Sequence, residues 1–293
     1  MKIEPECIPC ALNSFNRGLG ETRLAADEKM AEVKAMLARM AAAESEMSPP
    51  GLGRIVHRRI KEFLGIDDPF AEEKRHFNEL MMDKYDKFRE NVWNSPDKFT
   101  AALNLALFGN VIDFGLLTRL GIEELIERGE EIQPAIDHSE NLRAGILKSN
   151  NILYLGDNCG EIVLDRLLIE AIIEEFGPKD ITFATRGMPI INDITRRDAE
   201  FVGIDKIARV IDNGYDAPGT ILEYCSREFR QAFERAELII AKGQGNFESL
   251  TESPANIYYL LTAKCPVVAR WFGVSKGARI VASARKMNRP ESH

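Results

Sequence analysis

The spacing of apolar residues changes character part-way along the chain. Up to about residue 148, apolar positions recur at helical spacing, as at Ile8, Ala11, Leu12 and Phe15, within segments rich in strong helix formers. "SPPGLG" interrupts this pattern, and the Asp or Ser followed by Pro in "DDPF" and "SPDK" indicates new helix starts. "DDPFAEEKRHFNELMMDKYDKFRENVW" predicts one helix. The pattern predicts an all-helical region over residues 1–148.

From about residue 150, short apolar runs alternate with helical stretches. "NILYLG", "DITFATRG" and "ARVIDNG" predict strands, and "IYYLLTAKCPVVAR" predicts more strand. "ELIIAKGQGN" predicts a strand followed by a loop. "EIVLDRLLIEAIIEEFG" and "TILEYCSREFRQAFERA" predict helices between them. Short apolar strands separated by helices favour a mostly parallel sheet covered on both faces. We therefore expect an α/β fold, with a three-layer α/β/α core over residues 149–293 that follows the helical region.

Composition narrows the class of protein. The 293 residues are 45% hydrophobic and 29% charged, which is typical of a globular protein. The net charge of −8 argues against nucleic acid as a partner. No run of about 20 apolar residues is present, and the N-terminus lacks the apolar centre of a signal peptide. We expect a cytoplasmic protein with no membrane partner; its oligomeric state is left open.

Polar side chains follow three of the predicted strands. "GDNCGE" follows the first, "ATRGMPIIND" the second, and "GQGN" a later one. Ligands of open α/β sheets bind outside the carboxyl ends of the strands. We therefore expect Asp157, Asn158, Asp193, Lys242 and Asn246 to lie in one cleft.

The residue types in this cleft suggest a metal and a phosphate. Asp and Asn oxygens suit hard divalent cations such as Mg²⁺ and Mn²⁺. Lys242, Arg186 and the backbone N–H groups of "GQGN", which starts at Gly243, are suited to phosphate oxygens. Each residue also has a simpler interpretation. The Asp157–Asn158 pair and Asp193 are typical of helix caps, and Lys242 alone is typical of a protein surface.

Five separated motifs resemble one known family. "FGNVIDFG", "GDNCGEIVLD", "TRGMPIINDIT", "AKGQGNFESL" and "AKCPVVA" are similar, in this order, to the motifs of the damage-control phosphatase family, long called domain of unknown function 89. The N-terminal Cys-x-x-Cys, Cys7 and Cys10, resembles a largely prokaryotic subgroup. A structural zinc normally needs four ligands and this pair supplies two, so a reduced pair or a disulfide formed on handling is weighed against a metal site.

The resemblance implies a metal-dependent phosphatase that hydrolyses phosphate monoesters of small metabolites, such as sugar phosphates or damaged phosphometabolites, with Mn²⁺, Ni²⁺, Co²⁺ or Mg²⁺. By position, the resemblance places the metal on Asp157, Asn158 and Asp193, and places Lys242, Asn246, Glu161, Asn110 and Asp113 at the same site. We expect Asp157, Asp193 and Lys242 to act in catalysis. We expect the phosphate or substrate to be bound by Asn110, Asp113, Glu161, Arg186, Gly243 and Asn246. We expect water, rather than an Asp carboxylate, to attack phosphorus. The alternative function is a non-catalytic protein that binds a nucleotide or sugar phosphate.

Overall fold

The N-terminal part of the protein is helical. The computed structural model describes residues 1–44, 46–110 and 133–287. Its first helices are α1 (Cys7–Gly20), α2 (Ala26–Ala41), α3 (Pro49–Leu64), α4 (Ala71–Met82), α5 (Tyr85–Asn94) and α6 (Lys98–Gly109). Helices α1 to α3 enclose a core of their own that includes Phe15, Met36 and Val56. None of the helices in the described ranges is long and apolar enough to cross a membrane.

The rest of the described chain forms a sheet with helices between its strands. In chain order the elements are β1 (Ile136–Asp137), α7 (Ser139–Lys148), β2 (Asn151–Leu155), α8 (Glu161–Phe176), β3 (Asp180–Thr185), α9 (Arg196–Phe201), β4 (Arg209–Asp212), α10 (Arg227–Arg235), β5 (Leu238–Lys242), α11 (Gly243–Leu250), β6 (Ile257–Thr262), α12 (Pro266–Phe272) and β7 (Arg279–Ser283). The order across the sheet is β1-β7-β6-β5-β2-β3-β4. Neighbouring strands are parallel except β6 and β7.

Two apolar layers cover the sheet. Ile152 and Tyr154 of β2 join one core, which also includes side chains of α4 to α9. Leu153 and Leu155 face the other way and join a second core with α10, α11 and α12. Because successive strand residues point to opposite faces, both faces of β2 are buried, as its unbroken apolar run requires. The predicted α/β fold with a mostly parallel sheet is confirmed.

Three local predictions were wrong. "PVVAR" forms helix α12, because Pro266 occupies the first turn and the Cys265 side chain accepts the N–H of Val268. A short apolar run does not distinguish a strand from a buried helix. "GQGN" is the first turn of α11 and not a loop. The stretch after "DDPF", predicted as one helix, is two, α4 and α5.

The boundary between residues 148 and 149 stays a prediction. Strand β1 comes before that boundary and pairs with β7. Helix α6, also from the N-terminal part, packs along α8. Helices α4 to α6 therefore share the core on one face of the sheet, whereas α1 to α3 have their own.

The strand order places a topological switch point at the centre of the sheet. β2 lies between β3, which follows it in sequence, and β5, which comes later. The chain thus leaves β2 toward one side and later returns to the other. At such a switch point, the connections that leave the two neighbouring strands run in opposite directions. In open α/β sheets, ligands bind between these connections, outside the carboxyl ends of the strands.

Candidate active site

Asp157 and Asn158 lie just beyond the carboxyl end of β2. Gly156 permits the close packing of Ile194 at this point, since a Cβ there would come within 2.3 Å of Ile194 Cδ1. The next helix, α8, starts after Gly160 and has no side-chain cap. The Asp-Asn pair therefore does not serve as a helix cap, which removes the simpler interpretation.

Asp193 is brought to the same place by backbone pairing. An isolated antiparallel bridge joins Asn158 to Asp193, and Ile194 N–H donates to Asp157 O at 2.9 Å. Helix α9 is capped by Thr195, through a reciprocal bond with Asp198. Asp193 is thus not a cap either, and its buried carboxyl group is available to the site.

Arg186 links the two acidic residues. Its Nε donates to Asp193 Oδ2 at 2.6 Å, and its Nη2 donates to Asp157 Oδ1 at 3.4 Å. Nη1 donates to Asn246 Oδ1 at 3.1 Å and to Thr220 Oγ1 at 3.4 Å. The side chain is 2% exposed. Arg186 therefore holds the carboxylates in place, and its Nε and both terminal nitrogens already donate within the protein.

Lys242 is fully buried at the end of β5. Its Nζ donates to Ala106 O at 2.9 Å and to Glu161 Oε1 and Asp165 Oδ1, each at 2.5 Å. An ammonium has three N–H groups, so all are engaged. Burial lowers the pKa of Lys242, but Asp165 and Glu161 outweigh this effect and raise it. The amine is therefore charged.

The predicted asparagines and Gly243 complete the frame. Asn110 donates to both Glu161 oxygens at 3.2 Å and to Asp157 Oδ2 at 3.3 Å. Asn246 Nδ2 donates to the Lys242 carbonyl at 2.7 Å. Gly243 has φ +79°, and its backbone lies directly against the Asp157 carboxylate. Asp113 lies outside the described residues.

The acidic groups of the site repel one another. Burial, together with the charges of Asp193 and Glu161, raises the pKa of Asp157 to about 7. Burial also raises the pKa of Asp193, although Arg186 opposes the shift. Asp165 has a pKa of about 6, because burial outweighs the effect of Lys242. The positively charged side chains of the site therefore do not fully compensate its buried carboxyl groups.

Two residues at the site, Asp165 and Lys264, were not among those predicted from the sequence. Asp165 lies one helical turn beyond Glu161 and completes the Lys242 pairing; its i, i+4 spacing from Glu161 was the available signal. Lys264 follows β6 and is exposed, and its N–H donates to Gln244 Oε1 at 2.9 Å. Its charge acts on both Asp157 and Asp193. In the described part of the chain, its amine forms no ion pair.

The cysteines carry no sign of catalysis. Cys159 is buried, and burial raises the pKa of its thiol well above the usual value, which disfavours the nucleophilic thiolate. Cys7 and Cys10 are free thiols. Assignment to the Cys-x-x-Cys subgroup stays a prediction.

Comparisons with known proteins agree with this architecture. The profile described as the damage-control phosphatase ARMT1-like domain matches residues 3–280. An uncharacterized protein of Methanocaldococcus jannaschii is 38% identical over 291 residues, covering 96% of this chain and 95% of that protein. A protein of Pyrococcus horikoshii named damage-control phosphatase is 37% identical over 286 residues, covering 96% and 97%.

A solved structure shows the same fold. The crystal structure of a DUF89 family protein from Pyrococcus horikoshii superposes with a TM-score of 0.88 at 35% identity. The match covers 97% of this chain and 99% of that one. The chain therefore belongs to the damage-control phosphatase family with an ARMT1-like domain, formerly known as DUF89.

Proposed function

We propose that this protein is a divalent-metal-dependent phosphatase that hydrolyses phosphate monoesters of small metabolites, such as sugar phosphates or damaged phosphometabolites. The observation that carries the proposal is the meeting of Asp157, Asn158 and Asp193 at the switch point of the sheet. The printed name of the Pyrococcus horikoshii relative supports the reaction type.

The charge of the buried network supports a cation. Asp157, Glu161, Asp165 and Asp193 contribute four negative charges, whereas Arg186 and Lys242 contribute two positive charges. Two negative charges remain when all six groups are ionised. Buried charge without compensation is strongly unfavourable. One divalent cation would neutralise the network.

The donor atoms also fit a hard cation. Asn158 Oδ1 and Asp193 Oδ1 accept no hydrogen bond from any described residue, whereas the other Asp193 oxygen is held by Arg186. Within the described ranges, no three His, Cys, Asp or Glu side chains are arranged to hold a metal ion by themselves. The predicted set has two carboxylates and an amide, which favours Mg²⁺, Mn²⁺, Co²⁺ or Ni²⁺ completed by water or substrate. A cation held there would polarise a phosphoryl oxygen and reduce the negative charge that repels an attacking water.

The protein's own groups are suited to hold the phosphate. Lys264 is exposed at the same sheet edge and is suited to offset charge on the transferred phosphoryl group. The first turn of α11 lies beside Asp157, and the backbone N–H groups at a helix N-terminus favour anions. We assign to Lys264 and to the start of α11 the phosphate-binding role that was first predicted for Lys242.

Water is the proposed nucleophile. Both Asp157 oxygens already accept N–H groups, from Arg186, Asn158 and Asn110, and Gly243 confines the carboxylate. Those bonds leave little freedom for an in-line attack. A structure with a fluoride-based phosphoryl analogue should show no bond between the analogue and Asp157. An aspartyl-phosphate on Asp157 would show that this carboxylate, and not water, attacks phosphorus.

An activity assay tests the function. Purified protein, stripped with chelator, is assayed on a generic phosphate ester with Mn²⁺, Co²⁺, Ni²⁺ or Mg²⁺ added back. We expect cation-dependent hydrolysis that Asp157→Asn and Asp193→Asn reduce at least about 100-fold, while the exposed-site control Asp205→Asn remains active. Tight sugar-phosphate binding without turnover would instead support the binding-protein function, and full activity in both site variants would exclude this site.

A further inference from the structure

The orientation of the Asn158 carboxamide is determined by its neighbours. Its Nδ2 donates to Asp157 Oδ2 at 2.6 Å and to Glu161 Oε2 at 3.1 Å. Both carboxylate oxygens accept these bonds, so the amide presents its nitrogen to Asp157 and to Glu161. The Oδ1 atom, which is the one able to bind a cation, therefore points away from both.

Glu161 holds the Asn158 amide only with partners of its own. Its side chain is 0% exposed, so its oxygens must be hydrogen-bonded within the protein. Lys242 Nζ donates to its Oε1 at 2.5 Å, and Asn110 donates to both of its oxygens. Asn110 is itself fixed, since its Oδ1 accepts the N–H of Thr262 at 2.9 Å. Lys242 thus pairs with Glu161, and Asn110 holds both Glu161 oxygens, which directs the Glu161 carboxylate at Asn158.

Lys242 has a second anchor further along α8. Asp165 Oδ1 accepts from Lys242 at 2.5 Å and from the Tyr154 hydroxyl at 2.7 Å. Asp165, Glu161 and Lys242 are each no more than 1% exposed. With its third N–H donated to Ala106 O, the Lys242 amine has no donor left for a ligand.

From this geometry we propose that Lys242, Glu161 and Asp165 form a buried positioning triad, which does not touch the substrate but fixes the Asn158 amide so that its oxygen is available to a divalent cation. The inference rests on the proposed cation site and assigns Lys242 a role different from phosphate binding. Groups that orient metal ligands typically change metal affinity by 10–100-fold when replaced. The triad should therefore act on cation affinity and leave phosphate affinity unchanged.

The variant Glu161→Gln tests the amide orientation. It keeps the shape of the side chain, and Lys242 remains paired with Asp165, so the fold should persist. A Gln at this position has a donor as well as an acceptor, which allows Asn158 to turn over. We expect Mn²⁺ dissociation constants, measured by electron paramagnetic resonance without substrate, to rise at least about 10-fold. An unchanged Mn²⁺ affinity in folded Glu161→Gln would overturn the proposal.

The double variant Lys242→Met with Asp165→Asn tests the role of the lysine. It removes one charge of each sign and leaves Glu161 without its cation. At saturating Mn²⁺, we expect calorimetry to give an inorganic phosphate affinity within about threefold of wild type. The surface variant Lys276→Met, at an exposed position, should change neither affinity. A 10-fold loss of phosphate affinity in the double variant would show that Lys242 contacts the phosphate and would overturn the proposal.

These readouts separate this inference from the proposed function. Mn²⁺ and phosphate binding require no turnover. If wild type binds both but hydrolyses nothing, the phosphatase proposal fails, and the triad is still judged by the variants. If wild type binds no divalent cation, the cation site and the triad's role both fail. Circular dichroism confirms that each variant is folded.

Discussion

Gly243 offers a direct perturbation of the Asp157 carboxylate. Its φ of +79° disfavours any side chain, and a Cβ would lie 1.9 Å from Asp157 Oδ2. Ordinary contact begins near 3.4 Å, so in Gly243→Ala the carboxylate must move by about 1.5 Å. A displacement of about 1 Å in a reacting group can cost about 100-fold in rate, or about 2.7 kcal/mol of barrier.

The substitution also strains the backbone, by about 1–2 kcal/mol for alanine at a left-handed position. A matched control isolates this strain. Gly273 has φ +68° at the end of α12, and nothing lies within 4 Å of the position that a Cβ would take there. Gly273→Ala should therefore lose similar stability and keep its activity.

The assay compares kcat/KM and Tm for both variants on a phosphate ester at saturating Mn²⁺. Both should show a Tm lower by a few degrees, at about 2–4 °C per kcal/mol. We expect kcat/KM to fall about 100-fold in Gly243→Ala and to stay within about threefold of wild type in Gly273→Ala. Equal kcat/KM in the two variants would refute the claim that catalysis depends on the position of Asp157.

Three further outcomes are expected. Ile191, two residues before Asp193, has φ +45°, which strains any residue except glycine. Ile191→Gly should therefore be at least as stable as Ile191→Ala, whereas at ordinary positions Gly is less stable than Ala by about 0.5–1 kcal/mol. Thermal melts in which Ile191→Ala is the more stable variant would contradict this strain. In chelator, the raised pKa of Asp157 means that the folded state binds more protons than the unfolded state between pH about 4 and about 7. Wild-type Tm should therefore fall relative to Asp157→Asn as pH rises from about 5 to about 8, and a rise would show that Asp157 is not destabilised when ionised. Lys264→Gln should raise KM about 10-fold or more while Lys276→Gln does not, and equal KM values would remove Lys264 from the phosphate site.

The sheet and part of the site were predictable from sequence. β2 and β5 are uninterrupted apolar runs, and such strands are buried on both faces of a parallel sheet. The polar residues directly after them had to share one edge of that sheet. This rule brings Asp157 and Asn158 to the same edge as Lys242. Asp193, eight residues beyond the end of β3, is held there by its backbone bridge to Asn158, which no sequence pattern shows.

The engagement of Lys242 was not predictable. One of its acceptors, the Ala106 carbonyl, is 136 residues away in sequence and arrives through the packing of α6 on α8. Sequence spacing carries no information about such a contact. Similarly, "PVVAR" is too short and too apolar for periodicity to separate helix from strand.

The central claim is that Asp157, Asn158 and Asp193 hold a divalent cation. A crystal structure of the protein soaked with Mn²⁺ tests it, because anomalous scattering locates manganese without ambiguity. We predict an anomalous peak within about 2.0–2.4 Å of oxygens from all three side chains, with the Asn158 nitrogen still bonded to Glu161. A peak bound elsewhere, or no peak between these residues at saturating Mn²⁺, would contradict the account.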